Sequence, residues 1–254
     1  MSRLTIRELL DSKGGRKYTQ INVSNADTAA ACEEAGIDML GIGARNLKPI
    51  RAAAPNTFLI VAAPRPSYKD SNAGAIASCF ELMENGADAV YMCPGLERIR
   101  AVAEMKIPVF GHAGMVPDHQ TWIGGFRCVG KTAEEACRVY QDVLAHQEAG
   151  AVGLELEVVP HRVAREISKR VSCIVISLGS GCGCDVEYLF SSDILGTHRQ
   201  HYPRHSKVYR QHFEEKVSAL QEFRSDVQAG DFPAKNEVVP VSDEEYEKFM
   251  GAIG

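Results

Sequence analysis

The 254-residue chain is poor in the features that mark most specialised protein classes, beginning with a single tryptophan. It has no apolar run approaching the ~20 residues of a membrane-spanning helix; the most apolar stretch, Phe58 to Pro64, stops far short. It lacks a basic surplus, since 28 Lys and Arg stand against 33 Asp and Glu for a formal net charge of −5. Nothing in that balance makes the electropositive footprint that nucleic acid requires. The amino-terminal stretch is charged throughout and lacks the apolar centre and small-residue cleavage site of a secretory signal. Eight cysteines are too sparse for a disulfide framework, no Cys-x-x-Cys occurs, and Cys182-Gly-Cys184 is too tight for ordinary structural zinc. Reduced thiols in a cytoplasm are therefore expected.

What is present is a repeated joint. Glu33-Glu34-Ala35-Gly36, Glu84-Asn85-Gly86-Ala87 and Glu148-Ala149-Gly150-Ala151 each close a helical pattern, and an apolar strand pattern follows within two residues. A glycine there suits the left-handed residue just past a helix end. Short apolar runs at Thr19–Val23, Met39–Gly43, Phe58–Ala62, Ala89–Met92, Val109–Gly111, Val152–Val158 and Cys173–Leu178 predict strands, with a weaker eighth near Tyr188-Leu189-Phe190. The clearest helix between them spans Thr132 to Glu148, where Thr132 and Glu135 have capping-box spacing. Near-continuous apolar strands alternating with amphipathic helices predict a parallel sheet covered by helices. At about 250 residues the pattern suits a closed (β/α)8 TIM barrel. A dinucleotide-binding fold is the weaker alternative, because no Gly-x-Gly-x-x-Gly opens a helix after the first strand.

After about residue 196 the character changes. His198, His201, His205 and His212 fall around Pro203, which prevents the first three from sharing a helical face and favours a solvated loop or subunit contact. A helix is expected from Lys207 to Gln228 with Val217, Leu220 and Val227 on its apolar side. The expected organisation is a barrel over 1–196 and a C-terminal helical extension over 197–254 of the same domain.

In such barrels the chemistry lies at the C-terminal ends of the strands. Those ends supply Ser24, Arg45, Arg65, Tyr91, Cys93, His112, Glu155 and Glu157, with Ser177 and Ser180 further on. Gly111-His112-Ala113-Gly114-Met115-Val116-Pro117 followed by Gly124-Gly125-Phe126-Arg127-Cys128-Val129-Gly130-Lys131-Thr132 resembles the central segment of ketopantoate hydroxymethyltransferase. Glu33 to Met39, Leu156 to Pro160, Cys184-Asp185 with Asp193 to Gly196, and Gly230 to Pro233 continue the resemblance in family order. It implies a barrel of the phosphoenolpyruvate and isocitrate lyase superfamily, a homo-oligomer and a small-molecule carboxylate substrate.

The family holds magnesium through two aspartates and a glutamate, and the metal chelates a 2-oxo acid and stabilises its enolate. Here Ala44 and Arg45 stand where the family has Asp-Ser, Ala63 replaces the second aspartate, and Tyr91-Met92-Cys93 replaces Lys-x-Glu. A segment that the family carries between the second and third strands is also missing. Magnesium needs hard oxygen ligands that two alanines and a cysteine do not supply, so no family-type metal site is expected. His112 survives, and so does Glu157, which corresponds to the family's base or proton shuttle.

The expectation is a hydroxymethyltransferase-like enzyme that makes or breaks a carbon–carbon bond, or hydrolyses one, beside a carboxylate. Glu157, His112 and Cys93 are its candidate catalytic residues. Arg45, with Arg65, Tyr91 and Ser24, is expected to bind substrate, since a guanidinium grips a carboxylate bidentately and replaces lost metal charge. The alternatives are authentic 3-methyl-2-oxobutanoate hydroxymethyl transfer, as in pantothenate biosynthesis, and a retired barrel that binds a small acid or a partner protein.

Overall fold

The computed structural model describes residues 3–64, 71–93 and 95–254. Eight parallel strands close in sequence order into a barrel. They are β1 (Tyr18–Asn22), β2 (Met39–Gly43), β3 (Phe58–Ala62), β4 (Ala89–Tyr91), β5 (Val109–Gly114), β6 (Gly153–Glu157), β7 (Ile174–Leu178) and β8 (Val186–Phe190). Each expected strand is found, the eighth included, because uninterrupted apolar residues suit strands buried on both faces. Large side chains from alternating positions, among them Met39, Phe58, Ile60, Phe110 and Ile176, fill the interior. The short helix α1 (Ile6–Asp11) plugs one end with Leu9, which belongs to that same interior cluster. At that end Lys13 Nζ lies 2.6 Å from buried Asp185, which also accepts from Val175 N.

Helices α2 (Ala26–Glu34), α3 (Leu47–Ala53), α4 (Asn72–Glu84), α5 (Leu96–Glu104), α6 (Gln120–Ile123), α7 (Ala133–Glu148), α8 (His161–Arg170) and α9 (Ser191–Leu195) lie between or after the strands. The joint glycines Gly36, Gly86 and Gly150 all have positive φ, as the punctuation requires. Thr132 caps α7 by accepting from Glu135 N, but only half of the expected capping box forms. The Glu135 carboxylate instead accepts from Gly130 N, Lys131 N and the Arg127 guanidinium, which compete successfully for it.

The extension departs from expectation at its start. Helix α10 spans His212–Ala229, five residues later than Lys207 would have it. The preceding backbone is already used: Tyr209 N donates to Ile194 O and Phe213 N to Gly196 O, pinning the segment against α9. Helix α10 and the terminal α11 (Asp243–Ile253) contain no buried residue, and Leu220 is 68% exposed. Among the described residues no helix is long and apolar enough to cross a membrane.

Candidate active site

Strand β6 reads Gly-Leu-Glu-Leu-Glu, and period-two alternation sends Glu155 and Glu157 to one face, the barrel interior. The neighbouring strand β5 places His112 in direct register with Glu155, and Gly114 in register with Glu157. Gly114 has a φ of 87°, and a Cβ there would sit 2.4 Å from the carbonyl oxygen of Glu157. Only glycine lets the end of β5 approach β6 this closely. Beyond Glu157 the chain turns at Val158, whose φ of 49° puts a β-branched residue in the left-handed region. Buried Ser180 holds that turn by donating to Leu156 O and accepting from Val159 N. Ser180 and Ser177, two of the strand-end candidates, thus serve the backbone, since Ser177 Oγ accepts from Ser180 N.

Four side chains, those of Tyr91, Cys93, Glu155 and Glu157, converge on His112. Its Nε2 lies 3.0 Å from a Glu157 carboxylate oxygen, and its Nδ1 lies 2.7 Å from the Tyr91 hydroxyl and 3.9 Å from Glu155. The Glu157 contact is an ion pair and not an aligned hydrogen bond, because Nε2 has no partner of acceptable angle. Burial alone would lower the imidazole pKa. Contacts from the Cys93 and Glu157 side chains, with the charge of Glu155, outweigh burial and raise it to about 10. The ring is therefore a cation at neutral pH, and both nitrogens are donors. Nδ1–H then donates to Tyr91, which frees the phenolic hydrogen to point elsewhere.

Burial is the main cause that lifts Glu155 to about 7; the His112 charge opposes it and the Glu157 charge adds to it. Burial likewise holds the Tyr91 and Tyr188 hydroxyls far above their ordinary range, so both stay protonated donors. Tyr188 accepts from Asn22 Nδ2 at 3.1 Å. Gly41 leaves room beside this pair, since a Cβ there would lie 3.4 Å from the Tyr188 hydroxyl. Above the cluster opens a cavity of about 370 Å³ whose lining includes Asn22, Tyr91, His112, Glu155, Glu157 and Tyr188. Among its described lining residues His112 is the sole cation.

Of the residues singled out from sequence, Glu157, His112 and Tyr91 meet at this cavity, and Cys93 touches the imidazole from a half-buried position. Arg45 and Ser24 are exposed and lie outside the lining. Strand β2 ends at Gly43 and the chain enters a 3-10 turn over Ala44–Asn46, which carries Arg45 to the rim. Arg65 lies outside the described residues. Sequence reasoning gave Glu155 no role in the chemistry; the signal was its alternation with Glu157. The histidine run forms no cluster: His198 stacks on Tyr202 and contacts Asp193, while His212 begins α10. Both Cys182 and Cys184 are free thiols.

The donor set does not fit magnesium. Ala44 and Ala63 carry no donor at the positions the resemblance assigns to aspartates, and Cys93 offers soft sulfur. Among the described residues no group of three or more His, Cys, Asp or Glu side chains is placed to hold a metal ion.

A closed barrel with a buried acid–imidazole cluster at the C-terminal ends of its strands defines a (β/α)8-barrel enzyme. Its architecture is shared with 2,3-dimethylmalate lyase of the PEP mutase/isocitrate lyase superfamily, at a TM-score of 0.59 and 15% identity over 99% of this chain and 100% of that one. It is shared also with phosphonopyruvate hydrolase, at 0.56 and 13% over 98% and 96%. The family model for ketopantoate hydroxymethyltransferase matches residues 44–235, and the chain belongs to that family. The 3-methyl-2-oxobutanoate hydroxymethyltransferase of Kosmotoga olearia is 32% identical over 92% of this chain and 97% of its own length. That of Methylibium petroleiphilum, designated 1, is 31% identical over 98% and 93%.

Proposed function

We propose that the cluster acts on a small acid, a carboxylate or 2-oxo acid, by moving a proton at the carbon next to its carbonyl, without a family-type magnesium ion. The observation that carries this reading is the 3.0 Å contact between buried His112 and Glu157 at the mouth of the barrel. Glu157 takes the proton from carbon, the C–H electron pair becomes the enolate double bond, and the carbonyl π pair moves onto oxygen. In the family that oxygen faces a metal. Here the available stabilisers are donors: the His112 imidazolium and the free hydrogens of Tyr91 and Tyr188. The enolate carbon then attacks a one-carbon donor, and the reverse sequence cleaves the same bond.

A second reading, authentic 3-methyl-2-oxobutanoate hydroxymethyl transfer, is favoured by the names of the relatives. One experiment separates the readings. A panel of 2-oxo acids, 3-methyl-2-oxobutanoate included, is incubated in D2O and exchange at the adjacent carbon is followed by NMR with EDTA and with magnesium. The expected result is exchange indifferent to magnesium and at least 100-fold slower in E157Q. Exchange that requires magnesium would refute the metal-free mechanism; binding without exchange would identify a retired barrel.

The homo-oligomer implied by the resemblance has support in the extension. Its two helices contain no buried residue and expose Leu220, Phe223, Tyr246 and Phe249. A groove of about 880 Å³ lined by Thr19, Ile21, Leu189 and Tyr209 runs along β1 and β8. A second copy's helices are the apolar partner that both surfaces lack. The eight free thiols suit a reducing cytoplasm.

A further inference from the structure

Glu155 has no task in the proton transfer, and its surroundings do not account for it. Its residue is 9% exposed, its carboxylate lines the 370 Å³ cavity, and no described protein group donates it a hydrogen bond. Its cationic neighbour among the described residues is His112, with Nδ1 at 3.9 Å, and that nitrogen is already engaged by Tyr91 at 2.7 Å. The imidazole lies closer to Glu157, at 3.0 Å. Among the described lining residues there are thus two carboxylates and one cation, and the unmatched carboxylate faces the cavity. A buried carboxylate without a partner is costly. The same cavity is lined by the rings of Tyr91, Tyr188 and Phe190, with Tyr188 and Phe190 stacked at 5.5 Å. Aromatic faces beside a carboxylate attract a cation and repel a second anion.

We infer that the small acid this site takes also carries a protonated amine, which docks against Glu155 between the Tyr91 and Tyr188 rings. The inference rests on the small-acid reading above and narrows it. The ligand's ammonium supplies the missing positive charge, while its carboxylate turns to the donors around His112. Burial leaves Glu155 only partly ionised at neutral pH, and the arriving ammonium completes its ionisation, so part of a proton is released on binding.

The test uses matched ligands differing only in the amine: valine with 3-methylbutanoate, 4-aminobutanoate with butanoate, and 5-amino-4-oxopentanoate with 4-oxopentanoate. 3-Methyl-2-oxobutanoate is added as the amine-free family substrate. Titration calorimetry on the full chain is run in two buffers of different ionisation enthalpy, for wild type and E155Q, with thermal unfolding as the folding check. In wild type at least one amine should bind ten-fold or more tightly than its deaminated partner and release part of a proton. In E155Q that ratio should fall to about one. Binding of 3-methyl-2-oxobutanoate or another amine-free acid with no amine preference, or a preference that survives E155Q, overturns this inference and leaves the small-acid reading standing. Binding of none of these acids overturns both. Should E155Q fail to fold, Glu155→Asp provides the readout: retracting the carboxylate by one methylene should weaken the amine and spare its partner.

Discussion

His112 on β5 and Glu155 on β6 are register partners in adjacent strands, yet their charged atoms stop 3.9 Å apart. The shorter contacts of the imidazole go to Tyr91 and Glu157. The cluster therefore contains one matched carboxylate and one unmatched, a difference with consequences for stability as well as for ligand choice.

The first consequence is a pH dependence. Burial raises Glu155 from 4.5 to about 7 in the folded protein. A group raised on folding stabilises the fold fully below its unfolded pKa, and that contribution is lost as pH rises through the folded value. His112, raised from 6.5 to about 10 by contacts that outweigh its burial, slopes the same way over a higher range. Tyr91, Tyr188, Cys93 and Glu157 face the same pair. Stability should fall as pH climbs from about 4.5 toward about 10. E155Q should flatten the lower part of that slope and exceed wild type above neutrality by roughly 1–3 kcal/mol. Denaturant unfolding of both proteins at acid and alkaline pH measures this, and parallel profiles would contradict it.

Tyr91 is the second test point, because its hydroxyl pairs with His112 Nδ1 at 2.7 Å. Y91F leaves a buried N–H unpaired, at about 1–3 kcal/mol. It also removes one of the donors facing the developing oxyanion. Turnover should fall by roughly ten-fold to a hundred-fold with a smaller change in KM. A Y91F enzyme with unchanged turnover would show that the hydroxyl only orients the ring.

Truncation after Gln211 tests the extension. Helices α10 and α11 contain no buried residue, so their removal should lower the stability of the barrel itself only slightly. Under the proposed second-copy arrangement it should also lower the mass read by light scattering. A full-length chain already monomeric at micromolar concentration would refute the second-copy arrangement.

Much of the fold was legible because it is written in local periodicity. Apolar runs, glycine joints and the spacing of Thr132 ahead of its helix specify strands and helices without reference to distant residues. The resemblance over Gly111 to Thr132 located His112, and that over Leu156 to Pro160 located Glu157. The later start of α10 was not legible, since it depends on backbone bonds from Tyr209 to Ile194 and from Phe213 to Gly196, far back in the chain.

The site divided along the same line. The sequence by itself placed Ala44, Ala63 and Cys93 at the positions that the resemblance assigns to metal donors, and put His112 and Glu157 on consecutive strands. Tertiary structure decided which charges meet. Closure of the barrel set β5 and β6 in a register that brings Glu155 beside an imidazole already engaged, and the turn after β2 carried Arg45 out to the rim. Alternation fixes the face on which a side chain lies, but charge pairing falls off over a few ångströms and is settled by strand register and turn geometry.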